Sequence, residues 1–225
     1  MNTAIIVAAG SGIRFNSPIP KQFIEILGKP VIVHTLELFD ACDLIDAIIV
    51  VIADDESERF GKILAKFPIA KLTEIVDGGA TRAESVFKGL AAVDPRTEIV
   101  AVHDGARPLV TVDEISATIN AAIETGAACL TAQVTDTIKV ISVNNIIGTL
   151  DRKNLRRALT PQAFRFELLK AAFDQGDLSS VVTDECYLVE RLGCDIALVD
   201  GSQRNIKITR PEDLAFAEMY LKKSF

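Results

Sequence analysis

The sequence predicts an α/β fold: a mostly parallel sheet with helices on both faces and one inserted β-arm. Three observations predict it. Short apolar runs alternate with stretches of helical spacing over most of the chain. Several runs, such as Ile48-Ile49-Val50-Val51-Ile52 and Ile99-Val100-Ala101-Val102, are apolar at every position. Strands covered on both faces read this way, and such strands belong to parallel sheets. Finally, one basic stretch interrupts the alternation, and it reads as a hairpin.

In order, residues 4–8 form the first strand and 31–41 a helix. A strand at 46–52 is followed by a helix at 55–67 that stops before Pro68. A short strand at 72–76 leads into Asp77-Gly78-Gly79. The helix at 81–93 begins on Thr81 with Glu84 three residues on, the spacing of a capping box. A strand at 99–102, a helix at 112–125 with Asp113 and Glu114 in its first turn, and a strand at 129–132 follow. Residues 135–143 and 146–151 read as the two strands of a hairpin turning at Asn144-Asn145. Helices near 166–175 and 184–192, a strand at 196–199 and a helix from Pro211 complete the chain. With no repeat, low-complexity segment or linker, one domain spanning 1–225, with an arm inserted at about 134–160, is the simplest organisation.

Composition excludes several classes. A formal charge of -7 and a pI near 5.0 argue against general nucleic-acid binding. Cys42, Cys129, Cys186 and Cys194 form no CxxC and, with His34 and His103, no zinc spacing, so they read as buried free thiols. No apolar run approaches the roughly 20 residues a membrane-spanning helix needs. No basic leader precedes the first strand, so a cytoplasmic location is expected. Within residues 135–160, however, five cations face two anions. A two-stranded ribbon is marginal alone; a second subunit is the natural surface for it to pack on.

In parallel sheets ligands bind beyond the carboxyl ends of the strands, and three turns there carry the candidate chemistry. Ala8-Ala9-Gly10-Ser11-Gly12 has no side chain large enough to keep a ligand from the backbone, and its amides suit an anion. Arg14 and Lys21 are placed to reach back over it, which points to a polyphosphate, although neither GxxxxGK[ST] nor GxGxxG is present. At Gly78-Gly79, with Arg82 and Ser85, exposed amides suit a base edge or ribose; a purely structural turn is the competing reading. In His103-Asp104-Gly105-Ala106-Arg107-Pro108, Asp104 suits a hard divalent cation such as Mg²⁺, or else bonds the amides of the next turn. His103 reads as a core histidine, and Arg107 as a phosphate contact. Thr183 reads as a helix cap. Lys207, between Ile206 and Ile208 on an extended run, is aimed at a site or at solvent.

These motifs, joined by Pro20-Lys21-Gln22, Leu159-Thr160-Pro161-Gln162 and Asn205-Ile206-Lys207-Ile208-Thr209-Arg210-Pro211, resemble the 2-C-methyl-D-erythritol 4-phosphate cytidylyltransferase family almost end to end. Ribitol-5-phosphate cytidylyltransferases are the neighbouring family; Ala8-Ala9 and Gly105-Ala106 favour the former. The resemblance implies a Rossmann-like nucleotidyltransferase domain, CTP and a sugar-alcohol phosphate as substrates, a divalent cation, and a homodimer whose arms reach into each other's sites. It implies Arg14 and Lys21 at the triphosphate and transition state. The backbone of Ala8, Ala9, Gly10 and Gly12, with Gly79, Arg82, Ser85 and Gly105, would hold CTP, and Asp104 the metal. Thr137, Arg152 and Arg107 from one subunit, with Thr183 and Lys207 from the other, would hold the sugar phosphate. Ala80 departs from members that have an acidic residue there.

The reaction implied is in-line attack of the substrate phosphate on the α-phosphorus of CTP. That nucleophile is ionised at pH 7 and needs no general base. Catalysis then rests on positioning and charge stabilisation.

Overall fold

The structure, a computed structural model, describes residues 1–10, 15, 19–176 and 182–222. Seven strands form the central sheet in the order β11-β7-β10-β6-β1-β4-β5. They are β1 (Asn2–Ala8), β4 (Ala47–Ile52), β5 (Leu72–Asp77), β6 (Ile99–Asp104), β7 (Ala127–Gln133), β10 (Arg156–Arg165) and β11 (Ala197–Asp200). The small ladder β2 (Glu25–Ile26) and β3 (Lys29–Pro30) and the hairpin β8 (Lys139–Ser142) and β9 (Asn145–Thr149) lie outside it. All pairings in the main sheet are parallel except those of β10, which runs antiparallel to both β6 and β7.

The all-apolar strands alternate between two cores. Ile6, Ile48, Val50 and Ile52 face one side with α1 (Val31–Asp40), Phe60 of α2 (Ser57–Lys66) and α4 (Val112–Thr125). Ile5, Ile49 and Val51 face the other with α3 (Arg82–Ala91), α5 (Phe166–Gln175) and α6 (Glu185–Glu190). Ile5, Ile6, Ile48 and Val50 are fully buried, each contributing about 1.5–3 kcal/mol of transfer free energy. This two-sided burial is the physical reason their sequence lacks alternation. A third cluster joins Phe15, Ile26, Val31, Ala106, Ile208 and Ala217 of α7 (Glu212–Leu221) beside the ladder.

Four expectations require correction. Residues 156–160, assigned to the arm, belong to β10, a long strand the sequence did not reveal. Its Pro161 argues against a central strand, but the register shifts between Ala158 and Gln162, so the proline falls in an irregularity of the ladder. The hairpin pairs Ser142 with Asn145, so its turn is Val143-Asn144, one residue earlier than expected. Val143 sits there at φ 52°, a conformation a β-branched residue rarely adopts. The segment around Lys207 is not a strand, though Ile208 N–H donates to the Ala106 carbonyl at 2.8 Å. The cap of α6 is Asp184, accepting from Tyr187 N–H at 3.0 Å, and not Thr183.

Candidate active site

A cavity of about 530 Å³ opens at the carboxyl ends of β1, β5 and β6. Register makes it possible. Ala8 pairs with Ile52, Ile52 with Asp77, and Val7 with Asp104, so the three strands end nearly level.

The opening loop forms one wall through Ala8, Ala9 and Gly10. Gln22, buried behind it, donates to the Ala8 carbonyl at 2.6 Å and less closely to that of Gly10. Gln22 lies in the short helical turn Lys21–Phe23, whose Phe23 is packed in the core. Lys21, on the cavity lining, is therefore presented by a fixed piece of backbone. Gly12 and Arg14 lie outside the described residues.

The second wall is the start of α3. Gly78 N–H bonds the Ile52 carbonyl at 2.7 Å, and a Cβ on Gly78 would lie 2.2 Å from that of Ala9. Only glycine allows this approach of β5 to the opening loop. Ser85 Oγ accepts from Gly79 N–H at 3.0 Å and donates to the Thr81 carbonyl at 2.9 Å. Thr81 caps α3 by accepting from Glu84 N–H, while Glu84 bonds Ala80 N–H at 2.8 Å rather than closing the box on Thr81. The amides of Gly78 and Gly79, expected to face a ligand, are thus engaged within the protein, as is that of Ala80. Ser85 shapes the wall from beneath.

The floor is an ion cluster. Asp104, the last residue of β6 and 7% exposed at its side chain, accepts from Arg82 Nε at 3.1 Å and Lys207 Nζ at 3.0 Å on Oδ1. On Oδ2 it accepts from Arg107 Nε at 3.0 Å. Burial would raise the Asp104 pKa; Arg82, Lys207 and Arg107 outweigh it and hold the carboxyl well below its ordinary range. The side chain bonds cations rather than the amides of the next turn. Arg107 also donates to the Asn205 carbonyl at 2.9 Å and is not on the cavity lining, so it braces the floor instead of facing a ligand. Gly105 lies just behind the lining, where a Cβ would sit 3.0 Å from that of Ala8.

Arg82 carries a second partner that the sequence reading missed. Its guanidinium forks onto Glu185 at 2.7 and 3.1 Å. Burial would lower the Arg82 pKa, but Glu185 and Asp104 reverse the effect and raise it. Burial of this kind leaves no local signal: Glu185 reads from sequence as a first-turn acid. Thr209 and Ala106 also line the cavity without having been singled out.

His103 is fully buried against Phe39, its Nδ1 3.0 Å from Thr160 Oγ1. Burial lowers its pKa to about 3, so it is a neutral core histidine, as read from sequence. Thr137 and Arg152 on the arm, and Thr183 before α6, are exposed and do not line this cavity within one chain. Arg152 donates to the Thr135 carbonyl. Among the described residues, Cys42, Cys129 and Cys186 are buried and all four cysteines are free. Also among them, no helix is long and apolar enough to cross a membrane, and no three His, Cys, Asp or Glu side chains group as a metal centre.

A mostly parallel sheet with a cation-rich cavity at its strand ends defines an α/β protein built to hold an anionic ligand. Comparison with known proteins narrows the class. The family model for 2-C-methyl-D-erythritol 4-phosphate cytidylyltransferase matches residues 2–223. The enzyme of that name from Bacillus velezensis is 44% identical over 97% of this chain and 94% of its own. The one from Geobacillus kaustophilus is 42% identical over 97% and 96%. The crystal structure of 4-diphosphocytidyl-2C-methyl-D-erythritol synthase from Anaerococcus prevotii superposes with a TM-score of 0.86 at 35% identity, covering 99% of this chain and 98% of that one. The chain belongs to the 2-C-methyl-D-erythritol 4-phosphate cytidylyltransferase family.

Proposed function

We propose a division of labour between cavity and arm for the reaction of this family, in which CMP passes from CTP to 2-C-methyl-D-erythritol 4-phosphate and pyrophosphate leaves. The observation that carries the proposal is the cavity itself: small-residue backbone on one wall and three cations gathered on one carboxylate at the floor. CTP lies along Ala8, Ala9 and Gly10, with Gly12 continuing the loop. Lys21 and Arg14 oppose the triphosphate and the charge that builds as pyrophosphate departs. Ser85, Gly79 and Gly105 give the pocket its shape, and Arg82 lines it. The acceptor phosphate is held by Lys207 and Thr183 on one side. Arg152 and Thr137 of a second copy hold the other, with Arg107 bracing the floor.

Asp104 fits a divalent cation in one way only. It is the carboxylate at the floor of the cavity, and both its oxygens are engaged by cations, so Mg²⁺ would take the place of Lys207 or Arg82 on Oδ1, with triphosphate oxygens and water as the remaining ligands. Bound there, the ion would neutralise phosphate charge. The acceptor phosphate is ionised at neutral pH, so this chain needs no side chain to remove a proton. Its work is to hold two polyanions in line against their repulsion. The neutral, buried His103 agrees with that chemistry.

The homodimer is supported by the arm. Ile141, Val143, Ile146 and Ile147 are 67%, 89%, 66% and 64% exposed, a load that a two-stranded ribbon does not carry in water without a partner. The unit is one domain, 1–225, working in the cytoplasm, where four free thiols persist. Pyrophosphate release measured with four nucleoside triphosphates, against methylerythritol phosphate and ribitol 5-phosphate, tests the reading. Turnover is expected with CTP and methylerythritol phosphate. Equal or better turnover with ribitol 5-phosphate, or none with CTP, would overturn it.

A further inference from the structure

We propose that Glu185 is a positioning residue for the nucleotide, acting through Arg82; the inference rests on the assignment of CTP to the cavity above. Glu185 is fully buried, yet it opens a six-residue helix whose other buried residues, Cys186, Leu188 and Val189, belong to the apolar core. A lone carboxylate is strongly disfavoured in such a place, and an apolar residue would pack there with less penalty. Its position is nevertheless held on both sides. Gln162, buried on β10, donates to Asp184 Oδ2 at 2.8 Å and accepts from Cys186 N–H at 3.0 Å, so one side chain anchors both neighbours of Glu185.

What Glu185 holds is the guanidinium of Arg82. Two N–H groups go to its two oxygens and the Nε–H goes to Asp104. A guanidinium has five N–H groups in one plane, so three fixed bonds determine where the other two aim. Those two take no partner among the described residues, and Arg82 lines the cavity. With both Nη atoms forked onto Glu185, the two remaining N–H groups lie on opposite edges of the guanidinium, one beside the Nε–H that faces Asp104 and one beside Cδ. Glu185 thus fixes the plane in which Arg82 presents its charge and single donors at the cavity lining. It also limits how far Arg82 can close on Asp104, whose Oδ1 is shared with Lys207. Without the Glu185 charge, Arg82 would turn fully onto Asp104 and leave its place on the cavity lining.

The test is CTP binding by calorimetry in the absence of any acceptor, with thermal unfolding run beside it. The variants are Glu185→Gln, Arg82→Gln, the double variant and Lys21→Ala. Glu185→Gln is expected to weaken CTP about tenfold, the scale of one charge-assisted hydrogen bond. Arg82→Gln should weaken it at least as much, and the double variant should match Arg82→Gln. A purely structural Glu185 would lower the unfolding temperature and leave CTP affinity of the folded protein untouched. That result, or losses that add in the double variant, overturns the proposal. If Glu185→Gln does not fold, Glu185→Asp, which keeps the charge and shortens its reach, decides: weaker CTP binding by the folded variant supports the proposal, and unchanged binding overturns it. If Lys21→Ala and Arg82→Gln leave CTP affinity unchanged, the cavity assignment itself has failed. If they weaken it and Glu185→Gln does not, only the present inference has.

Discussion

The rim of the sheet and the inserted arm are both rich in cations, and they handle them in opposite ways. At the rim, Arg82, Arg107 and Lys207 converge on one buried carboxylate, and Arg82 is secured again by Glu185. On the arm, the Arg152 side chain bonds, among the described residues, a carbonyl of its own segment, and the apolar residues beside it stand in solvent. The rim pairs its cations within one chain; the arm leaves apolar side chains exposed. Ion pairs in a partly buried floor are preorganised for an anion, whereas exposed cations contribute only when something else fixes them.

This contrast can be broken in four places. The largest effect is expected at the floor. Asp104→Asn leaves three cations without their carboxylate and should destabilise the fold by about 3–5 kcal/mol, the range for breaking a buried pair. Urea unfolding measures it, and a loss below the level of a surface pair would mean that the rim is not held by charge. Next is Lys21→Ala, expected to lower kcat by roughly 10²-fold, as for removal of one transition-state donor; Arg14→Ala should do the same. Normal turnover would remove either residue from catalysis.

On the arm, Arg152→Ala should raise KM for the sugar phosphate about tenfold, some 1.4 kcal/mol of binding, while CTP affinity is kept. Mixing Arg152→Ala with Lys21→Ala subunits should restore activity through hybrid dimers. No recovery in subunits shown to exchange would mean that each chain builds its site alone. The smallest effect is at the hairpin tip. Val143→Gly removes a β-branched residue from positive φ and should stabilise the hairpin by about 1 kcal/mol. Slower amide exchange within residues 139–149, and nowhere else, would register it.

The same contrast separates what was legible in the sequence from what was not. The parallel core could be read because two-sided burial leaves an unbroken apolar run, as in Ile48 to Ile52. The cap Thr81 follows a short-range rule, and the structure holds it, though without the capping box expected from Glu84. The rim turns could be placed because parallel strands end together. Long-range pairings were not legible. Nothing local says that Glu185 meets Arg82, 103 positions away, or that the amides of Gly79 and Ala80 are already engaged. β10 escaped because its charged start and Pro161 contradict the pattern of a central strand, and only the ladder irregularity reconciles them.

That strand has a mechanical consequence. Arg156 of β10 pairs with Gln133 of β7, so the arm leaves and re-enters the sheet through two hydrogen-bonded neighbours, and β10 then runs beside the strand that ends in Asp104. The stem of the arm is thus a continuation of the middle of the sheet. Its length and tip sequence can drift without a change of register below. A load applied at the tip, by contrast, is delivered next to the floor of the cavity.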